Sequence, residues 1–514
     1  MRAKPIVALL LGSLLAAAAA PGSADAQRAR ASAAPPPRSE LGPVRAPGPA
    51  GRAPSTAGRA PSTADRAPGP AGRASAERPP AHTAASRGPT VSGALTSLLH
   101  SSSIEPTAYS QDLAVYVAAK KAVGSLSGTR RTELQAVLAN TQALAASGQL
   151  TPSRLPIAFL TLERNRQWWT TEPLLGSSAR VTFPDSEIVW EHYPGQGVQI
   201  QWLGTFGEGN GYFANHENTH LRQLLSEVIP LATARAGGIA WEYMFKFDGG
   251  VPPWTSGLSQ GTGIQLLARA YSRFHEPAYL TAAQQALGIF NTPPPQGVRV
   301  TAANGAALYA QYSFAPSDRI LNGFIQALVG LYDYTSIIQD PLGLTLFEAG
   351  DMEARALVPR YDTGFWSMYD QHGESSLSYH ELLTEFLQHL CERTRNGPPL
   401  GAAAPLTADG IYCTTAQRFT ADLTSPPALS LLSTTLHTNT RAGVAVSLSK
   451  ISRVTVTVKR GSRVVWTVAA TVPGGRPRLL WRTPRSPGGY SVTLAATDLA
   501  GNTAGASGTI TLKR

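Results

Sequence analysis

Apolar residues recur at helical spacing through most of the middle of this 514-residue chain. Stretches at 112–123, 131–146, 221–236, 263–274, 280–289, 321–336, 346–358 and 380–393 are separated by Gly and Pro signals and predict helices. Between them, 180–190 and 197–203 alternate with the two-residue period of strands. They flank Tyr193-Pro194-Gly195-Gln196-Gly197 and predict a β-hairpin insert. After Cys413 the period changes. Short β-prone runs at 444–448, 453–458, 464–470, 478–482 and 490–495, divided by turn residues, predict a small all-β sandwich at 424–514. The expected architecture is multidomain: a mostly α domain at 103–415 with a hairpin insert, then the β module.

The N-terminal end carries a different pattern. Arg2 and Lys4 precede the apolar run from Ile6 to Ala20, and Ala24-Asp25-Ala26 offers small residues for cleavage. Residues 1–26 are therefore expected to be a secretory signal peptide, leaving a secreted or cell-surface protein; a retained N-terminal anchor is the other reading. No other segment has eighteen consecutive apolar residues. Arg45, Arg52, Arg59, Arg66 and Arg73 then recur every seven residues. A proline in each of the first four units forbids a continuous helix, and nothing larger than alanine is available to bury. Residues 27–95 are expected to be a disordered, extended tether.

Charge sharpens this division. The net charge is +11, but residues 1–90 hold twelve Arg and Lys against four Asp and Glu, a surplus of +8 that leaves +3 for the rest. The folded part is thus nearly neutral, which argues against nucleic acid as a partner. Contact with an acidic cell-wall polymer through the tail, or with polysaccharide through the β module, stays open. Cys391 and Cys413 fit a disulfide in an oxidising compartment or two free thiols, and belong to no metal-ligand spacing.

From Pro253 to Leu390 a set of local motifs stands in order. Pro253-Trp254 is followed by Ser259-Gln260-Gly261, and Tyr312 leads into Ile320-Leu321-Asn322-Gly323-Phe324. Leu328-Val329-Gly330-Leu331-Tyr332-Asp333, Tyr361-Asp362-Thr363-Gly364, Tyr369-Asp370 and Tyr379-His380 complete it. This ordered set resembles the D-glucuronyl C5-epimerases. The resemblance implies an α/α toroid-like fold for the helical domain, no cofactor, and a uronic-acid-containing polysaccharide as substrate. It matches Tyr379 to the family's tyrosine acid/base, and Tyr369 and Tyr312 to tyrosines that contact the sugar or tune its carboxylate. Ala496 to Asn502 is similar to the penultimate turn of bacterial immunoglobulin-like modules.

C5 epimerisation removes the hydrogen α to a carboxylate and returns a proton on the opposite ring face, so the site must hold a base, an acid and a means of neutralising the carboxylate. A phenol can donate as it stands and accept once its pKa of about 10 is lowered. Two positions depart from the family. Gln311 stands where the family has a glutamate base, and Gln371-His372 stands where it has an arginine. Tyr312, His380 and Glu381 are candidate replacement bases, and Arg319 a replacement cation. Trp254, Gln260, Asn322, Tyr193, Gln311 and His372 are candidate substrate contacts, with Glu191 and His192 beside the hairpin. Of Trp168, Trp169, Trp190, Trp202, Trp241, Trp254 and Trp366, most are expected to fill the core.

One further motif competes. His216-Glu217-Asn218-Thr219-His220 matches the H-E-x-x-H pattern of zinc peptidases, with Glu242 as a conceivable third ligand. It follows a turn-rich stretch, and Gln223 and Ser226 break the metzincin continuation. The preferred expectation remains an exported isomerase acting on a uronic-acid polysaccharide. An α/α-toroid polysaccharide lyase and a non-catalytic polysaccharide-binding protein are the alternatives. Oligomeric state is open, a homodimer included.

Overall fold

The computed structural model describes residues 88–395, Gly397 and 410–514. The expected signal peptide and nearly all of the expected tether lie outside these residues. The helical part opens with α1 (Val91–His100), α2 (Pro106–Ser125), α3 (Gly128–Ala146) and α4 (Leu155–Thr171). A small sheet follows, made of β1 (Arg180–Val181), β2 (Trp190–Tyr193) and β3 (Gly197–Ile200). Then come α5 (Trp202–Ala214), α6 (Asn218–Val228), the hairpin β4 (Thr233–Arg235) with β5 (Gly238–Ala240), α7 (Gly257–Phe274), α8 (Pro277–Ala286) and α9 (Gly288–Asn291). A second hairpin, β6 (Arg299–Thr301) with β7 (Ala307–Tyr309), precedes α10 (Leu321–Ile338), α11 (Pro341–Leu357), α12 (Leu377–Thr394) and α13 (Ile411–Asp422).

Several elements differ from the pattern. The helix predicted over 221–236 stops at Val228 because Pro230 lacks the N–H needed to continue it, and Ala236 and Gly237, both at positive φ, then turn β4 into β5. The strand predicted over 180–190 survives only at its two ends, with Pro184 between. Residues 202–203, expected as strand, open α5. That helix carries four glycines, an unpromising composition held in place by burial: Trp202 stacks on Phe206, and a Cβ on Gly209 would lie 2.5 Å from Leu266. Helix α1 occupies part of the expected tether, with Val91 and Leu95 fully buried.

Helices α7 and α10 form the centre of the helical part. A Cβ on Gly330 would come 2.0 Å from the Gly261 carbonyl oxygen, and one on Gly261 would come 2.6 Å from the Ala327 Cα. The two backbones therefore touch, which only glycine permits. Near the far ends of α7, α10 and α12, Asp333 accepts from Arg269, Arg393 and Gln265 at 2.6–2.8 Å. Burial would raise the Asp333 carboxyl, but the Arg393 and Arg269 guanidiniums outweigh it and hold it at about 2. Cys391 and Cys413 form a disulfide that ties α12 to α13.

The β module consists of β8 (Leu429–Leu431), β9 (Thr435–His437), β10 (Arg441–Leu448), β11 (Ser452–Arg460), β12 (Arg463–Val472), β13 (Arg478–Arg482), β14 (Gly488–Asp498) and β15 (Thr503–Lys513). They build one sheet in the order β13-β10-β8 and another in the order β12-β11-β14-β15-β9. Alternate residues of both sheets, among them Val444, Val446, Val456, Trp481, Leu494 and Ile510, meet in one separate core.

Candidate active site

Four helices present their N-termini to one cavity. Gln201 caps α5 and Leu203 lies in its first turn; Ser256 caps α7, followed by Leu258 and Ser259. Asn322 is in the first turn of α10, and Tyr379 in the first turn of α12. All of these line a space of about 520 Å³, open mouth included, with Tyr193, Tyr243, Phe245, Phe247, Trp254, Gln311, Tyr312 and Leu382. The caps are local: Gln201 Oε1 accepts from Gly204 N at 2.8 Å, and Ser256 and Ser376 accept from Ser259 N and Tyr379 N at 3.4 Å.

None of these lining residues is Asp, Glu, Lys, Arg or His. An anion entering the cavity meets instead the partial positive charge of the helix ends, about 0.3–1 kcal/mol for each. The walls are aromatic. Trp254 stacks on Tyr243 with centroids 4.1 Å apart and takes the edge of Tyr312 at 5.8 Å. Tyr193, at the hairpin tip, packs on Phe245 at 4.6 Å. The Tyr243 and Ser259 hydroxyls are hydrogen-bonded at 2.7 Å.

The three family-matched tyrosines come together here. Tyr312 and Tyr379 line the cavity, and Tyr369 stands against Tyr379 with ring centroids 4.7 Å apart. Gln311 donates through Nε2 to the Tyr312 hydroxyl at 2.9 Å, while its Oε1 is buried without a hydrogen-bond partner. A Cβ at position 323 would sit 2.3 Å from that oxygen, so Gly323 is what admits the Gln311 side chain. Burial pushes the Tyr312 phenol above its ordinary range; the neighbouring Tyr379 adds to this and Gln311 opposes it. The Tyr369 phenol is raised by burial, then by Tyr312, Tyr379 and Asp370, against the pull of Gln311. Tyr193 is also raised, by burial first and by Glu191 second. At neutral pH these phenols are donors.

Other residues singled out in the sequence stand elsewhere. Gln260 is fully buried and donates to Trp241 O and Thr255 Oγ1, so it supports the wall without lining the cavity. Arg319 pairs with Glu353 at 3.4 Å, and His372 is exposed on a turn closed by Asp370; neither lines the space. His380 is buried, stacked 3.7 Å from Trp366 and bonded to Ser367 Oγ and Phe419 O, and Glu381 is exposed. Among the candidate replacement bases, Tyr312 alone lines the cavity. Glu191 and His192 are buried beside the hairpin, paired to Arg180 and Glu133.

The histidine motif is not assembled as in a zinc peptidase. His216, at φ +60°, and Glu217 precede α6, and exposed His220 bonds Glu187 at 2.7 Å. Glu242 is buried between Arg154 and Arg235. Among the described residues, no group of three potential ligands is placed to hold a metal ion.

Tyr243, Phe245 and Phe247 were missed as wall residues. Their signal was in plain view as an aromatic residue at every second position from Trp241 to Phe247.

Residues 236–398 match the protein family described as D-glucuronyl C5-epimerase C-terminus. The D-glucuronyl C5-epimerase of Caenorhabditis elegans is 33% identical over 133 residues, 23% of this chain and 21% of that protein. An uncharacterized protein of Methanocaldococcus jannaschii is 27% identical over 151 residues, 28% of this chain and 49% of the other. The chain thus spans about a fifth and about half of these curated relatives. Among solved structures, a polysaccharide lyase aligns over 61% of this chain and 84% of its own, at 10% identity and a TM-score of 0.30. A family 88 glycosyl hydrolase from Bacteroides vulgatus aligns over 62% and 85%, also at 10% identity and 0.30. Alignments this loose carry no argument about fold or chemistry. The matched segment supplies Trp254, Gln311, Tyr312, Tyr369 and Tyr379, and it is over this segment, residues 236–398, that the chain is similar to the C-terminal part of D-glucuronyl C5-epimerases.

Proposed function

We propose that the chain is a carbohydrate-modifying isomerase that inverts C5 of D-glucuronyl units to L-iduronyl units in a uronic-acid polysaccharide, outside the cell and without a cofactor. The observation that carries this reading is the convergence of Tyr312, Tyr369 and Tyr379 with Gln311 at one aromatic-walled cavity. Tyr312, as phenolate, takes the C5 hydrogen as a proton; the electron pair of the broken C–H bond moves into the C5–C6 bond, giving the enediolate of the carboxylate. Tyr379 then gives its phenolic proton to C5 from the opposite face, and solvent resets both tyrosines. The Gln311 hydrogen bond favours the Tyr312 phenolate, and the four helix ends oppose the charge that builds on the enediolate.

The scaffold reading draws on the same features. The N-termini of α5, α7, α10 and α12 share one end, with helices such as α8 and α11 between them in sequence, which favours an α/α toroid. The two-sheet module favours an immunoglobulin-like sandwich, and the disulfide favours an oxidising compartment.

Incubation with uronate polymers in deuterated water, followed at C5 by NMR, tests the reaction. Deuterium entry with inversion is expected; no entry on any uronate polymer overturns the proposal. Growth of an absorbing unsaturated uronate identifies a lyase instead. Binding without exchange identifies a polysaccharide-binding protein, the reading that Gln311 at the glutamate position favours.

A further inference from the structure

The β module does not hang free of the helical part. Lys450, in the β10–β11 turn, has a side chain only 1% exposed. Its ammonium meets Asp498 at 2.8 Å and donates to Asp422 O and Ser425 O, both at 2.6 Å, at the end of α13. Nearby, Gly474 N donates to Glu374 Oε2 and Asn502 Nδ2 to Leu423 O, each at 2.9 Å. The contact is thus made by two turns and a strand-end pair of the module, against α13 and the segment 361–376.

That segment carries Tyr369 and leads into the start of α12, where Tyr379 lies. Lys450 lies 5.3 Å from the centre of the Trp366 ring, and Trp366 stacks on His380 with planes 9° apart. His380 follows Tyr379 in α12. Trp366 Nε1 donates to Ser375 O, the Ser367 and Ser375 hydroxyls are bonded, and Ser367 meets His380 Nδ1, so the segment is knitted to the helix start. Tyr369 projects from the same segment onto Tyr379. The stack Lys450, Trp366, His380 therefore connects the module to the helix start that bears Tyr379 and to the segment that bears Tyr369.

We infer that the β module is a built-in part of the active site, and that Lys450 and Glu374 are positioning residues for Tyr369 and Tyr379. This rests on the reading of those tyrosines as reacting groups. It assigns the module a task inside the catalytic unit rather than a separate binding task. A shift of a phenol by about 1 Å can cost on the order of a hundredfold in rate, so a brace on the segment and helix start that carry two of them matters for turnover more than for substrate affinity.

The test uses the full chain with Lys450→Met and Glu374→Ala, each carrying ¹³C-labelled tyrosine and histidine. The expected result is displaced ring resonances of Tyr369 and Tyr379, with kcat for C5 exchange reduced at least about tenfold and KM within about twofold. In Lys450→Met the His380 resonance should also titrate at higher pH. Its imidazole is held down to about 4 by burial, against the bond to Phe419 O, and the Lys450 charge lowers it further. Unmoved tyrosine resonances with unchanged kcat in folded variants overturn the inference. If Lys450→Met fails to fold, Glu374→Ala decides by the same measurements. If the wild type exchanges no C5 hydrogen, the proposed reaction falls, while the ring resonances still decide whether the module positions the tyrosines.

Discussion

Gln311 and Tyr312 are chain neighbours whose side chains meet over 2.9 Å, and this pair sets the chemistry expected of the cavity. A carboxamide takes no proton, so in the proposed reaction the base role passes to the Tyr312 phenol, whose basic form is scarce while burial raises its pKa. The rate of C5 exchange should therefore climb by about tenfold per pH unit from neutrality toward pH 10 without a plateau, as the phenolate fraction grows. Stability sets the upper limit of that experiment. The unfolded phenol ionises near pH 10 and the folded one higher, so the buried tyrosines favour the fold below that value and cease to favour it as pH rises through the raised one. Gln311→Glu should restore a carboxylate base, raise the neutral-pH rate by about 10²–10⁴ and flatten the profile. Tyr379→Phe should abolish exchange in either background, by loss of about 10² or more, while leaving oligosaccharide binding measurable by calorimetry.

At the level of elements, site geometry depends on how closely α7 and α10 approach. Gly330→Ala would push a methyl into the Gly261 carbonyl, and the helices must separate. A loss of about 1–3 kcal/mol in urea unfolding is expected, with a weaker hold on substrate because Ser259 and Asn322 ride on those helices. The helices themselves were legible. Both α7 and α10 show the apolar spacing and glycine punctuation that burial on a neighbour requires, and the ordered tyrosine motifs pointed to the cavity. What escaped is equally physical. Glycine-rich α5 owes its helicity to packing that no local propensity records. Gln260 sits in a family motif yet is spent on the wall, and Arg319 found Glu353 instead of the cavity, because charge pairing across 34 residues leaves no periodic trace.

At the level of the whole molecule, the disulfide and the β module brace the same region. Cys391 and Cys413 are 22 residues apart, and a loop of that length stabilises by about 3 kcal/mol when closed. Reduction should lower the unfolding free energy by about that amount, and the loss should be greatest in the protection of α12 and α13 against hydrogen exchange. The far ends of α7, α10 and α12 are bolted together by Asp333 with Arg269 and Arg393. Drawing these helices apart at that end would pull a largely buried carboxylate away from the guanidiniums that share it, at high cost. The three helices are therefore expected to keep their spacing at that end when a ligand enters. If the proposed polymer is the substrate, room for its strand is expected to come from the hairpin tip at Tyr193 and the turn from Lys246 to Gly250, whose Tyr193 and Phe247 rings line the cavity without belonging to those helices.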